Sequence, residues 1–328
     1  MEDLLASISK IRWTSTPRAQ ASSGVWRPDM TARVKTAGGE FTLLFEVKRS
    51  GEPRAIAQLA VYAKEAKGYV VLVAPHVSER GRALCAELGL GFVDMAGNAY
   101  LKFDGILVDR AGRKGPAKER GNIDVFARKA SRVVRKLLSS PKRTWTLQEI
   151  AAEAKVSVSQ AQLVVEALSR EAYVDKGWGS IGLSRPGELL DAWAKKYSFS
   201  SQKATGYYCP MKDQERILAA LRKLPEDSYA LTLGAAASLV APVVRSTDVY
   251  IYAPEGQEAI VKALDLKPVE FGGNVYLVEP SDGGILFDTQ RKDGLTLVSS
   301  LQLYLDLFNY PARGREQAEA IREKVLRV

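Results

Sequence analysis

Phe41-Thr42-Leu43-Leu44-Phe45-Glu46-Val47-Lys48 is an apolar run that ends in two charged residues. Alternate residues of a strand point the same way, so Glu46 and Lys48 share one face. Working back, Asp29 to Thr36 alternates as a second strand, and Ala37-Gly38-Gly39 between the two is a turn signal. Folding that hairpin about the glycines brings Asp29 close to the Glu46–Lys48 end. Working forward, Pro53 suits the first turn of a helix that runs to about Lys67. Gln58 and Tyr62 stand four residues apart on it and therefore share one side. Two carboxylates on adjacent strands suit a hard divalent cation such as Mg²⁺. A lysine beside them stabilises charge that builds on a phosphate.

Beyond Gly68, Tyr69 to Ala74 reads as a buried strand, Ser78 caps a helix through Leu88, Gly89 stops it, and Gly91 to Asp94 is a short strand. The set Asp29, Glu46, Lys48, Gln58 and Tyr62, in that order, resembles the active site of the PD-(D/E)XK nuclease superfamily, in the variant with a Gln-x-x-x-Tyr helix. The resemblance implies a restriction-endonuclease-like α/β domain over residues 1–112, in the order helix, hairpin, helix, strand, helix, strand. It implies Asp29 and Glu46 as ligands of Mg²⁺ (or Mn²⁺), Lys48 as the group that stabilises the pentacovalent phosphate, and Gln58 and Tyr62 as substrate-positioning residues. The structural alternative is a surface ion pair between Glu46 and Lys48 with Gln58 merely solvated.

At 328 residues the chain predicts two or three domains, and 46% apolar with 26% charged residues describes an ordinary soluble globular protein. No apolar run approaches the roughly 20 residues of a membrane span, and no secretory signal is visible at the acidic start Met1-Glu2-Asp3. Cys85 and Cys209 are the only cysteines, too few for a disulfide framework, which fits a cytoplasmic setting. The single histidine, His76, excludes Cys/His zinc clusters and His-based triads elsewhere. The formal charge is +9, and eleven Lys/Arg against two acids between Arg113 and Arg143 carry an excess of the same size. Such a patch is an electrostatic footprint for phosphates, with a solvated linker and helix face as the bland alternative.

Residues 113–122 read as a basic linker, and the pattern changes after it. Apolar residues from Val125 to Leu138 recur at helical spacing, and Pro141 ends that helix. Thr146 and Glu149 form a capping-box pattern ahead of a second helix. After the turn Lys155-Val156-Ser157, Ser157 or Ser159 caps a third helix that includes Leu168. Two short strands then flank the tip Lys176-Gly177-Trp178-Gly179. Three helices closed by a small hairpin resemble a winged helix-turn-helix domain, placed at residues 123–200. The resemblance puts the third helix in the major groove of double-stranded DNA. Ser157, Ser159, Gln160 and Gln162 would face base edges and phosphates. Arg128, Arg132, Lys142 and Arg143 would meet the backbone, and Lys176 and Trp178 the neighbouring groove.

Ser198 to Thr205 is Ser-rich and reads as a second linker, and residues 206–328 mix helices and strands as an α+β domain. Gly234-Ala235-Ala236-Ala237-Ser238 with Ser246-Thr247-Asp248 is faintly similar to a nucleotidyltransferase start. The second aspartate that two metals need is missing, so core packing explains the alanines better. The layout, with Asp94-Met95-Ala96-Gly97-Asn98-Ala99 and Val298-Ser299-Ser300-Leu301-Gln302-Leu303-Tyr304-Leu305-Asp306-Leu307, resembles the regulators and antitoxins of AbiE-type (type IV) toxin–antitoxin systems. That family implies operator binding and antagonism of a nucleotidyltransferase toxin. The simplest members lack the nuclease-like front end. Two readings of this α/β multidomain chain follow. One is a DNA-binding transcriptional regulator of antitoxin type, with a cognate toxin and a second copy of the chain as further partners and no membrane. The other is a Mg²⁺-dependent endonuclease targeted by its winged helix. DNA binding is common to both, and the first is preferred.

Overall fold

The computed structural model describes residues 13–17, 26–36, 39–113, 123–211, 213–244, 246–254, 257–311 and 313–328. Its contacts divide it into two units, residues 1–123 with 166–172, and residues 124–165 with 173–328.

In the first unit, seven strands lie side by side in chain order: β1 (Trp13–Pro17), β2 (Met30–Thr36), β3 (Gly39–Val47), β4 (Tyr69–Ala74), β5 (Gly91–Asp94), β6 (Ala99–Phe103) and β7 (Ile106–Arg110). The centre, β3–β4–β5, is parallel, and the flanks are antiparallel. Parallel neighbours need a crossover, which α1 (Pro53–Ala63) and α2 (Glu79–Glu87) provide. The expected local signals are present. Pro53 starts α1, and the Ser78 hydroxyl accepts from the Gly81 N–H to cap α2.

Alternation sorts the apolar residues between two cores. Leu44, Val70, Leu72 and Phe92 pack with Ile56, Leu59, Leu84 and Cys85 of the helices. Leu43, Phe45, Val71 and Val93 pack on the opposite side with Ala32, Val34 and Leu101. Glu46, two residues beyond Leu44, therefore belongs to the helix-covered side. The expected leading helix and the Ala37-Gly38 turn lie outside the described residues. Three strands were not expected. β1 pairs with β2 from Trp13↔Val34 to Pro17↔Met30, and β6 and β7 extend the sheet past β5. These strands are five residues each, too short to assert a period alone; pairing with a preformed edge makes them strands.

The second unit starts with α3 (Arg128–Ser139), α4 (Leu147–Glu153) and the part of α5 (Val158–Arg170) up to Val165. The hairpin β8 (Val174–Lys176) and β9 (Ile181–Leu183) follows, and then α6 (Pro186–Lys196). A bridge between Trp145 and Ile181 adds the lead-in to α4 to the hairpin edge.

The remainder is built on a second seven-stranded sheet. Its strands are β10 (Lys203–Tyr208), β11 (Ala230–Thr232), β12 (Val249–Tyr252), β13 (Lys267–Pro268), β14 (Val275–Glu279), β15 (Gln290–Lys292) and β16 (Leu295–Leu297). Their order is β13-β10-β14-β12-β11-β16-β15, with mixed directions. The helices are α7 (Gln214–Leu221), α8 (Leu233–Val240), α9 (Gln257–Ala263), α10 (Ser300–Phe308) and α11 (Gly314–Ile321). The stretch read as a Ser-rich linker is instead ordered structure. Phe199 is buried in a single tight turn against Tyr250, Tyr252 and Tyr310, and β10 starts at Lys203. Aromatic packing overrides the local serine composition there. Ala235, Ala236 and Ala237 of α8 are fully buried, and a Cβ on Gly234 would clash with the Ser246 side chain. Small residues in this helix are thus demanded by close approach.

Candidate nucleic-acid interface

The starts of α4 and α5 are held by local chemistry. The Thr146 hydroxyl accepts from the Glu149 N–H, and the Glu149 carboxylate accepts from the Thr146 N–H at 2.7 Å, a complete capping box. The bonds that the Thr146 N–H and hydroxyl donate to the Glu149 carboxylate hold it below its ordinary range. Ser157 caps the third helix, accepting from the Gln160 N–H at 3.2 Å. On α5, Ala161, Val164, Val165 and Leu168 are buried. Ser157, Ser159 and Gln162 are exposed and Gln160 is half-buried. The first turn of α5 thus presents hydroxyls and amides to solvent. At the hairpin tip Lys176 is exposed and Trp178 is wholly so, at 106%.

The basic residues are not equivalent. Arg132 forms a two-pronged ion pair with Asp282, at 2.7 and 2.8 Å, inside the second unit. Burial alone would raise the Asp282 carboxyl, but the bonds from Arg132 and the Gly284 N–H hold it below its ordinary range. Lys136 bonds Asp288 at 2.7 Å. Arg143 bonds Glu153 and Glu149 and lies 3.7 Å over the Trp145 ring, so it pins the inter-helix turn to α4. Arg135 is 4% exposed. Arg128, Lys129 and Lys142 are exposed and make no ion pair among the described residues. Lys114, Lys118 and Arg120 of the basic stretch lie outside those residues. The charge that the sequence places in one patch is therefore divided between structural ion pairs and a smaller set of open cations.

The amino-terminal polar residues are partly gathered. The register Met30↔Phe45 sets Asp29 beside the end of β3, where its Oδ2 accepts from the Val47 N–H at 2.9 Å. Lys48 Nζ donates to Glu46 Oε1 at 2.8 Å. Glu46 is 8% exposed, and its Oε2 is buried without a hydrogen-bond partner. Gln58 is exposed, and Tyr62, half-exposed, stacks on Trp26 with ring centroids 5.9 Å apart. No hydrogen bond or ion pair joins Gln58 or Tyr62 to the carboxylates among the described residues. No cluster of three or more metal-binding His, Cys, Asp or Glu occurs among those residues either. Nearby, Asp94 and Asn98 form a buried lock. Asp94 accepts from the Asn98 N–H and side-chain amide, each at 2.9 Å, while Asn98 exchanges two bonds with the Arg113 backbone.

Sequence reasoning missed a buried polar centre around Asp306. Its Oδ1 accepts from Tyr197 at 2.7 Å, Gln302 at 2.6 Å and Tyr252 at 3.3 Å, and its Oδ2 accepts from Thr232 at 2.6 Å. Asp306, Gln302 and Thr232 have no solvent exposure. Burial pushes the Asp306 carboxyl up to about 6, against the opposing effect of these hydrogen bonds. A signal was present: Gln302 and Asp306 stand four apart in a helix otherwise apolar all round, the signature of a buried helix with an internal polar pair.

Residues 182–327 match the family model described as "Transcriptional regulator, AbiEi antitoxin, Type IV TA system". The resemblance to the AbiE-type family is thereby shown for this part of the chain, from the end of the hairpin through the last helix. The Asp306 centre lies wholly within the match, whereas the Asp94–Ala99 string lies outside it. No curated protein and no solved structure matches the chain. No described helix is long and apolar enough to cross a membrane.

Proposed function

We propose that the protein is a DNA-binding transcriptional regulator of antitoxin type, whose winged helix-turn-helix reads duplex DNA and whose carboxy-terminal domain meets a toxin. The observation that carries the reading is the segment from Arg128 to Leu183. Three helices and a hairpin there leave the polar start of α5 and the Trp178 tip in solvent, directly ahead of and overlapping a domain that matches a regulator family. A helix that buries its apolar face and exposes its first turn fits the major groove, and the hairpin tip reaches the adjoining backbone. Arg128, Lys129, Lys142 and Lys176 supply phosphate contacts; Arg132 and Arg143 serve the protein's own structure. The test is fluorescence anisotropy of the full chain on duplexes selected from a random pool. Saturable binding that weakens steeply with salt is expected; salt-independent or absent binding sinks the reading.

A second reading, favoured by one observation, gives the amino-terminal unit metal-dependent nuclease chemistry. Asp29 and Glu46 sit at adjacent strand ends, and the buried, unpartnered Glu46 Oε2 is an oxygen donor in need of a partner. Two hard carboxylates fit Mg²⁺, which commonly keeps several waters beside one or two protein ligands. Bound there, the ion would supply Lewis-acid activation of a phosphodiester. Lys48, now held by Glu46, would turn its charge to the phosphate, with Gln58 and Tyr62 along the substrate path. If this holds, Mg²⁺- or Mn²⁺-dependent cleavage of single- or double-stranded DNA is lost in the double variant Asp29→Ala, Glu46→Ala, and falls by about 100-fold or more in Lys48→Ala. No cleavage by the parent chain, with duplex binding retained, leaves an inactive nuclease fold in a regulator.

A further inference from the structure

Within the second unit, α3, α6, the turn at 198–202 and the turn at 281–285 enclose a half-open cavity of about 200 Å³. Arg135 lines it while only 4% exposed, and its guanidinium lies 4.8 Å over the Trp193 ring. It makes no hydrogen bond among the described residues, and its Nε is buried and unpartnered. A buried guanidinium with no acceptor is unusual, because desolvating a charge is unfavourable unless it is paired. The neighbouring acids do not supply the pair. Asp282 is taken by Arg132. Asp306 is satisfied by Tyr197, Gln302, Tyr252 and Thr232. Asp124, at the rim, lies 3.9 Å from Lys196. Arg128, also on the cavity wall, makes no ion pair among the described residues.

We infer that this cavity is a binding site for a small molecule bearing an oxyanion, gripped by Arg135 from the floor and Arg128 from the rim. The chemistry is that of a planar donor fork. Five N–H groups fixed in a plane match two oxygens of a carboxylate or phosphate, and Trp193 holds that plane from below. The tight turn from Phe199 to Ser201 forms part of the wall, so the site uses the stretch whose composition suggested a linker. The inference concerns ligand binding and shares only Arg128 with the DNA reading; Arg135 belongs to the cavity alone.

Calorimetric titration and thermal melting of the full chain with inorganic phosphate, and separately with malonate, test it. Sodium chloride at matched ionic strength is the control. A saturable single-site isotherm and a raised melting temperature are expected with at least one anion, and the preference between them assigns phosphate or carboxylate. Arg135→Lys, which keeps the charge but removes the fork, is expected to weaken binding about tenfold. Arg128→Ala, at an exposed position that does not endanger folding, is expected to weaken it by a similar factor. Absence of binding by both anions, or binding unchanged in Arg128→Ala and in a folded Arg135→Lys, overturns the inference.

Discussion

Asp306→Ala is expected to destabilise the protein by on the order of 4 kcal/mol, read as a lowered denaturant midpoint for the full chain. The carboxylate is the shared acceptor for Tyr197, Tyr252, Gln302 and Thr232, all but Tyr197 without solvent exposure. Truncation leaves these donors facing one another in a dry cavity, and each unsatisfied group is unfavourable by about 1–3 kcal/mol. It also removes one of the charges that act on Arg135; burial lowers that guanidinium from its ordinary range, and Tyr197 and Asp306 are among the opposing influences. A midpoint shift within the usual surface range, about 0.5 kcal/mol, would remove Asp306 from its central place in the domain.

The same residue has a pH signature. Its carboxyl is raised from 3.8 unfolded to about 6 folded. Between those values the folded state keeps a proton that the unfolded state has lost, so stability falls as pH rises. The contribution is full below about pH 4 and is lost above about pH 6, a change of roughly 3 kcal/mol. Asp306→Asn is the control. Its oxygen retains the role of Oδ1, and its amide replaces Oδ2 beside Thr232, whose hydroxyl accepts as readily as it donates. The stability difference between Asp306→Asn and the parent chain is expected to shift in favour of the variant as pH rises from 4 to 7. A pH-independent difference would place the Asp306 titration outside this window.

The second large effect is expected at the first turn of α5 and the hairpin tip. Together, Ser159→Ala, Gln160→Ala and Trp178→Ala are expected to lower affinity for a selected duplex by on the order of 100-fold. The argument rests on exposure. Ser159 faces solvent and Trp178 is wholly exposed, so neither contributes to the core and the variant should fold normally. Ser157 is left intact because it caps α5. Lys142→Ala and Lys176→Ala should act differently, weakening all duplexes alike and reducing the salt slope by about 1 each. Arg143→Ala should instead loosen the turn, since that side chain is bound to Glu149 and Glu153. Anisotropy across a salt series separates these outcomes. Unchanged affinity in the triple variant would move DNA off the first turn of α5 and the hairpin tip.

Several features were legible because they are local. Pro53 at a helix start, the Ser78 cap and the Thr146–Glu149 capping box each depend on residues within four positions. The hairpin that sets Asp29 beside Glu46 was legible for the same reason, because period-2 alternation on both sides of a glycine turn fixes the register. The five-residue strands β1, β6 and β7 were not legible, since their conformation comes from the edge they join. Phe199 lay within apparent linker composition, yet three tyrosines distant in sequence bury it.

The sequence by itself determined the helix–helix–helix–hairpin segment, the alternation of both cores, and the family resemblance that the match over residues 182–327 bears out. Only the tertiary structure decided what the charges do. Arg132 meets Asp282 across 150 residues and Lys136 meets Asp288 across 152, so one cation expected at DNA and another of the basic stretch are engaged in ion pairs within the protein. Arg135 is left only 4% exposed, and Asp306 gathers donors from four segments of the chain. Side-chain charge is a property of composition, but its partner and its dielectric surroundings are set by packing between residues far apart in sequence.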